Sequence, residues 1–164
     1  KMLRFSVKQL GDYTNALNDI KVGTEVAVDG PYGTFSNQVV INQRQIWIAG
    51  GIGITPFLAM ASDIQDKSQK IDLYYSLQKK GDDVYLDELQ KNAKKYTNIR
   101  VIPFYTDQSG YLTADVIQQH SGQFEPSTAF LICGPPSMMK ALRSQLVDFG
   151  VPKKSIHTEE FSLS

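Results

Sequence analysis

The stretch Ile46-Trp47-Ile48-Ala49-Gly50-Gly51-Ile52-Gly53-Ile54-Thr55-Pro56-Phe57 decides the fold. An apolar run breaks into glycines and restarts at Thr55-Pro56, the pattern of a buried parallel strand turning sharply into a helix. Gly51 and Gly53 are expected to let the backbone approach a ligand closely, with no Cβ in the way. Thr55 is expected to cap the new helix, and Pro56 suits its first turn. The N–H groups at such a helix start, with the dipole behind them, favour an anion, and a nucleotide phosphate is the obvious one. The usual dinucleotide fingerprint has a third glycine, and here Pro56 lies in that region instead. A glycine-rich turn that binds nothing would read the same way locally, so a second observation is needed.

The second observation is another turn of the same kind. Thr128-Ala129-Phe130-Leu131-Ile132-Cys133 reads as a buried strand, and Gly134-Pro135-Pro136-Ser137-Met138-Met139 starts a helix. Two strand ends with ligand-approaching glycines, one in each half of the chain, suggest a dinucleotide lying across a sheet edge.

Working outward, residues 43–164 alternate strands with helices, which implies parallel pairing and right-handed crossovers. Strands are expected near 45–49, 70–75, 99–104, 128–132 and 155–158, and helices near 55–66, 83–96, 112–120 and 136–149. Gly150 and Pro152 give the last helix a clear stop. Residues 1–42 read differently. Leu3-Arg4-Phe5-Ser6-Val7 alternates like a half-buried strand, Gly11 to Leu17 is a turn into a short helix, and Glu25-Val26-Ala27-Val28 is another strand. The expected fold class is therefore α/β, a doubly wound parallel five-stranded sheet, preceded by a fragment of an antiparallel β-barrel. The abrupt opening at Lys1, inside a strand-like stretch, suggests the C-terminal part of a longer protein.

Composition narrows the function classes. Among 164 residues, 17 basic and 17 acidic side chains cancel, leaving no global field to favour nucleic acid or an anionic membrane surface. The basic pairs Lys79-Lys80, Lys94-Lys95 and Lys153-Lys154 read as solvated faces. One cysteine excludes an intrachain disulfide and a cysteine-ligated iron–sulfur cluster within the chain. No apolar run approaches a membrane span, and His120 and His157 show no metal-ligand spacing.

Four motifs in order carry a family resemblance: Asp29-Gly30-Pro31-Tyr32-Gly33-Thr34-Phe35, the Gly-Gly-Ile-Gly-Ile-Thr-Pro turn, Cys133-Gly134-Pro135-Pro136, and Glu159-Glu160-Phe161. Together they resemble the ferredoxin–NADP reductase superfamily. More narrowly, Val7 to Thr14 and the aromatic terminus resemble the dehydrogenase part of NADPH oxidases and ferric reductases. The resemblance implies NAD(P)H passing a hydride to FAD held mainly by a preceding barrel, of which 1–42 would be the remnant. Electrons would then pass through haems of an attached transmembrane part to oxygen or ferric iron, at the cytoplasmic face of a membrane. A soluble flavin reductase and a nucleotide-binding module without turnover are the alternatives.

By the same resemblance, Gly51, Gly53, Thr55 and Pro56 would cradle the nicotinamide-nucleotide pyrophosphate. Cys133 would sit near the reactive nicotinamide carbon, with Gly134, Pro135 and Met138 as walls. Phe161, in the Glu159-x-aromatic pattern, would stack on the flavin ring and move aside for nicotinamide. Physically, a planar apolar ring suits a flat cofactor. Cys133 equally suits the core of a buried strand, and no base motif accompanies it to make a nucleophile. Gly11 and Thr14 match the flavin-pyrophosphate turn, whereas the family's Arg-x-Tyr-Ser/Thr flavin motif is not in this sequence.

The choice between NADPH and NADH rests on two loops. Thr106, Asp107 and Tyr111 follow the third strand, with Asp107 where NADP-specific plant-type relatives carry arginine, which disfavours a 2′-phosphate. Ser76, Gln78 and Lys79 after the second strand supply possible donors. The NADPH-oxidase resemblance itself implies NADPH, and the expectation is NADPH with tolerance for NADH.

Overall fold

A computed structural model describes residues 3–30, 32–62, 64 and 66–160. Contacts divide the chain into two compact units, Lys1–Thr34 and Phe35–Ser164. In the first, helix α1 (Asp12–Ala16) is the principal element, followed by a 3-10 turn at Leu17–Asp19. The strands expected at Leu3–Val7 and Glu25–Val28 do not form: neither stretch joins a ladder among the described residues. Their alternating apolar side chains, Leu3, Phe5, Val7, Val26 and Val28, are exposed. Two short strands cannot sustain a sheet without further strands to pair with and a face to pack on.

The second unit follows the expected alternation. It runs β1 (Arg44–Gly50), α2 (Thr55–Ser62), β2 (Lys70–Leu77), α3 (Leu86–Ala93) and β3 (Ile99–Tyr105). It continues with the single-turn α4 (Thr106–Ser109), α5 (Ala114–Ser121), β4 (Ala129–Cys133), α6 (Pro136–Asp148) and β5 (Ile156–Glu159). All pairings are parallel and the strand order is β3-β2-β1-β4-β5.

The strand sequences are apolar on both faces because helices cover both. Odd positions on β1, β2 and β4 (Trp47, Ala49, Leu73, Tyr75, Leu131, Cys133) join a core with Phe57 and Leu58 of α2 and Leu89 of α3. Even positions (Ile46, Ile48, Tyr74, Phe130, Ile132) join a second core with Ile117 of α5 and Leu142 and Leu146 of α6. Helix α6 stops as expected. Gly150 has φ +82, its N–H reaches Val147 O at 2.9 Å, and Val151 N–H reaches Leu146 O at 2.9 Å. That is a Schellman closure, and it needs the left-handed residue that glycine supplies.

The chain leaves β2 and β3 on one side of β1, then crosses to β4 and β5 on the other. This makes the gap between β1 and β4 the topological switch point, where open parallel sheets place ligands outside the carboxyl strand ends. Both glycine turns lie there, because Ala49 is in register with Cys133.

Candidate functional site

The first turn starts earlier than the sequence suggested. Gly51–Ile54 forms a 3-10 turn with Gly50 at its N-cap, and α2 continues from it. Thr55 is not the cap: it already has helical dihedrals (φ −60, ψ −43), and its N–H bonds to Ile52 O. The unsatisfied N–H groups that could meet an anion are therefore those of the Gly51–Gly53 turn, one turn before Thr55. Pro56, half-buried in the first turn of α2, sits where a missing N–H is tolerated.

The glycines differ from one another. Gly51 has φ +51, is exposed, and a Cβ on it would meet nothing within 4 Å. It is open to a ligand. Gly53 is not. It is buried, and a Cβ there would overlap the Cys133 carbonyl and stand 2.7 Å from Gly134 N. Its missing side chain lets the two turns touch; the expectation that it leaves room for a ligand is corrected on this point. Gly50 and Gly134 also serve the junction. A Cβ on Gly50 would come within 2.7 Å of Met138 Cε and Pro135 Cδ, and one on Gly134 within 2.9 Å of Gly50 Cα.

The second turn supplies a second helix start. Pro135 is the cap residue of α6 and Pro136 its first residue, the position where proline is preorganised. Two helix N-termini thus flank one crevice, and both favour negative charge.

Cys133 closes β4 with its side chain fully buried. Burial, together with Glu159 beside it in register on β5, pushes its thiol up to about 12. The thiol stays protonated at neutral pH and is not a ready nucleophile.

On the other side of the crevice, Ser76 pairs with Gly50 and is buried. Gln78 O accepts from Asp107 N at 2.9 Å and from Thr106 Oγ1 at 3.5 Å, so the loops after β2 and β3 are joined. Asp107 and Tyr111 are exposed. The sequence reading missed a further link: Tyr105 OH donates to Asp83 Oδ2 at 2.6 Å, which lowers the Asp83 carboxyl below its ordinary range. Its only sequence signal was the Gly81-Asp82-Asp83 turn.

In the first unit, Thr14 Oγ1 accepts from Leu10 N at 2.8 Å and Gly11 N at 3.1 Å, and lies 3.1 Å from Gly11 O. The Gly11–Thr14 turn thus uses its hydroxyl internally. Phe161 and Pro31 lie outside the described residues. Among the described residues no group of carboxylate, histidine or cysteine side chains could hold a metal ion, and no helix is long and apolar enough to cross a membrane.

A parallel sheet whose two glycine turns meet at the switch point defines a nucleotide-binding α/β domain. The family model described as the oxidoreductase NAD-binding domain matches residues 47–144. The chain belongs to that family, as the nicotinamide-nucleotide domain of the ferredoxin–NADP reductase superfamily. Flavohemoprotein A of Dictyostelium discoideum is 29% identical over 147 residues, covering 87% of this chain and 36% of that protein. NADH-cytochrome b5 reductase 1 of Candida glabrata is 26% identical over 156 residues, covering 87% of the chain and 54% of that protein. The crystal structure of the cytochrome b5 reductase domain of Ulva prolifera nitrate reductase superposes with a TM-score of 0.73 at 26% identity, covering 91% of this chain and 66% of that one. The chain spans about a third to a half of the length of the two curated relatives.

Proposed function

We propose that this chain is the NAD(P)H-binding part of a flavoprotein oxidoreductase. The observation that carries the reading is the meeting of an open, positive-φ Gly51 and the α6 helix start across the β1–β4 gap. When bound there, reduced nicotinamide nucleotide supplies a hydride, and FAD in the preceding domain accepts it. The chain's own residues orient and exclude water. The N–H groups at the open Gly51 end of the turn and the N-terminus of α6 hold the pyrophosphate, with Gly53 packing the two turns together and Thr55 and Pro56 fixing the turn. Gly134, Pro135 and Met138 wall the nicotinamide side, and Cys133 sets the floor beneath it. Glu159, next to Cys133, keeps that strand end polar. Phe161 covers the flavin face until nicotinamide arrives.

Ser76, Gln78, Thr106, Asp107 and Tyr111 line the adenosine side. Asp107 there opposes a 2′-phosphate, and the NADH-named relative from Candida glabrata favours NADH, so NADH is used alongside NADPH. Residues 1–42 contribute the last part of the flavin domain, where the Gly11–Thr14 turn lies against the flavin pyrophosphate.

The acceptor after FAD is a haem. The flavohemoprotein relative supports haem in an attached domain, and the Val7 to Thr14 motif supports the membrane NADPH oxidase and ferric reductase arrangement at a cytoplasmic membrane face. A reductase serving a separate carrier is the second reading, favoured by the cytochrome b5 reductase relative.

The test is a calorimetric titration of the chain with NADH and NADPH, then stopped-flow flavin reduction after joining it to its upstream flavin domain. Saturable binding of both nucleotides and hydride-dependent bleaching of the flavin are expected. Absence of binding to the folded chain would sink the reading.

A further inference from the structure

The opposite edge of the sheet carries a cavity of about 480 Å³, formed where β1, β2 and β3 begin and α5 ends. Its ionised walls are Arg44, Lys70, Arg100 and a single carboxylate, Asp72. Asp72 is almost fully buried and accepts from Arg100 Nε at 2.9 Å and Nη2 at 2.8 Å, from Arg44 Nη2, and from Ser121 Oγ at 2.6 Å. Burial alone pushes its pKa up, but the bonds from Arg100, Arg44 and Ser121 outweigh that and hold it below the usual carboxylate range. Asp72 is therefore ionised and its oxygens are committed.

One carboxylate cannot neutralise two guanidiniums. The Arg44 side chain is only 15% exposed and pairs with Asp72, so the surplus positive charge falls on Arg100, whose side chain is 56% exposed on the cavity wall. Lys70 adds a third cation. The forks are also held in place: Arg44 donates to Lys70 O and Ser121 O at 3.3 Å each, and Arg100 donates to His120 O at 3.1 Å. Among the described residues, no acceptor is found for Arg100 Nη1, Arg44 Nε or the Lys70 ammonium. Preorganised guanidinium N–H groups beside a surplus of positive charge are the complement of a phosphate oxyanion.

We propose that this amino-edge cavity is a second anion site, which takes a small phosphate monoester through Arg44, Arg100 and Lys70. Its volume exceeds what one phosphate needs and suits a drug-sized or sugar-sized body behind it. Strand β2 spans Lys70–Leu77, so the cavity and the glycine turns stand at opposite strand ends, about 23 Å apart at ~3.3 Å per residue. The monoester and the nicotinamide nucleotide therefore do not compete.

The experiment is calorimetry on the full chain at fixed ionic strength, with ribose 5-phosphate and with inorganic phosphate, each with and without excess NADH. Lys70→Gln and Arg100→Gln are run beside the wild type. Lys70 is exposed, so Lys70→Gln should melt near the wild type; Arg100→Gln takes two bonds from Asp72 and should melt lower, but it keeps the Arg44–Asp72 pair and folds. The expected result is saturable binding of the ester, tighter than that of inorganic phosphate, unaffected by NADH, and at least tenfold weaker in each variant. No saturable binding, displacement by NADH, or unchanged affinity in both folded variants would overturn the site. Equal affinity for both anions would assign it to free phosphate and overturn the ester.

Discussion

The two edges of one sheet prepare for negative charge by different means. At the carboxyl edge the groups are backbone: helix starts at Gly51 and Pro136, brought together because Gly50, Gly53 and Gly134 have no side chains to hold the turns apart. At the amino edge the groups are side chains: Arg44, Asp72 and Arg100 from three neighbouring strands, tied to Ser121 at the end of α5. Backbone donors do not titrate and, proline apart, cannot be removed by a substitution; other side chains can only displace or block them. Side-chain donors can be deleted singly, and their shared acceptor, the Asp72 carboxylate, responds to pH. Substitutions at the two edges should therefore fail in different ways.

The largest effect is expected at Gly53. In Gly53→Val the new side chain would run into the Cys133 carbonyl and the Gly134 amide, neither of which can move without breaking the turn. Backbone overlap of this kind is at the severe end of overpacking, so about 4 kcal/mol of stability should be lost. Urea unfolding measures this. If the variant keeps wild-type stability and loses only nucleotide affinity, Gly53 is a ligand-facing residue and the packing account fails.

A smaller loss is expected at Asp72, with a pH signature that the carboxyl edge lacks. Asp72→Asn leaves Arg44 and Arg100 without a counter-ion, and Arg44 is mostly buried. About 3 kcal/mol should be lost at neutral pH, the low end for breaking a buried pair because Arg100 is largely solvated. The folded pKa of Asp72 lies below its unfolded value. Its contribution is thus fully present above the unfolded value of about 3.9, and disappears as pH falls through the folded one. Melting temperature against pH should therefore converge for wild type and Asp72→Asn on the acid side of about pH 4. A constant gap down to pH 2 would mean that the carboxylate charge is not what holds the cluster.

The contrast between edges also explains what the sequence could disclose. All five parallel strands and the four main helices of residues 43–164 were legible, because each is a continuous run of apolar or amphipathic residues, and β1, β4, α5 and α6 are closed by glycine. The carboxyl-edge turns were legible because their chemistry is contiguous in sequence. Their inner division of labour was not: nothing local distinguishes Gly51 from Gly53, since the atoms that crowd Gly53 belong to Cys133 and Gly134. Thr55 was misread as a cap because a 3-10 turn lengthens the helix start, and glycines hide such a turn in sequence. The Arg44–Asp72–Arg100 cluster was illegible for a simpler reason: its members are 28 residues apart and meet only through strand register. The strand-like alternation at Leu3–Val7 and Glu25–Val28 reported a preference for pairing without reporting a partner.

The smallest effect on the fold, and the most useful for function, is expected at Gly51. It stands two residues from Gly53, yet a methyl group added there meets nothing. The only structural cost of Gly51→Ala is the positive φ, about 1 kcal/mol for a single left-handed residue. That cost should show as a modest drop in melting temperature and nothing more. The nucleotide should notice far more, because the methyl group occupies the open side of the turn, where a pyrophosphate must come within hydrogen-bond distance of the backbone. The affinity for NADH should therefore fall by an order of magnitude or more while the fold survives, the reverse of the pattern expected for Gly53→Val. Calorimetric titration and thermal melting on the same sample decide the matter. If affinity and stability fall together by the same free energy, Gly51 matters only for the shape of the turn. If affinity does not change, the phosphate lies elsewhere and the open face of Gly51 is solvent.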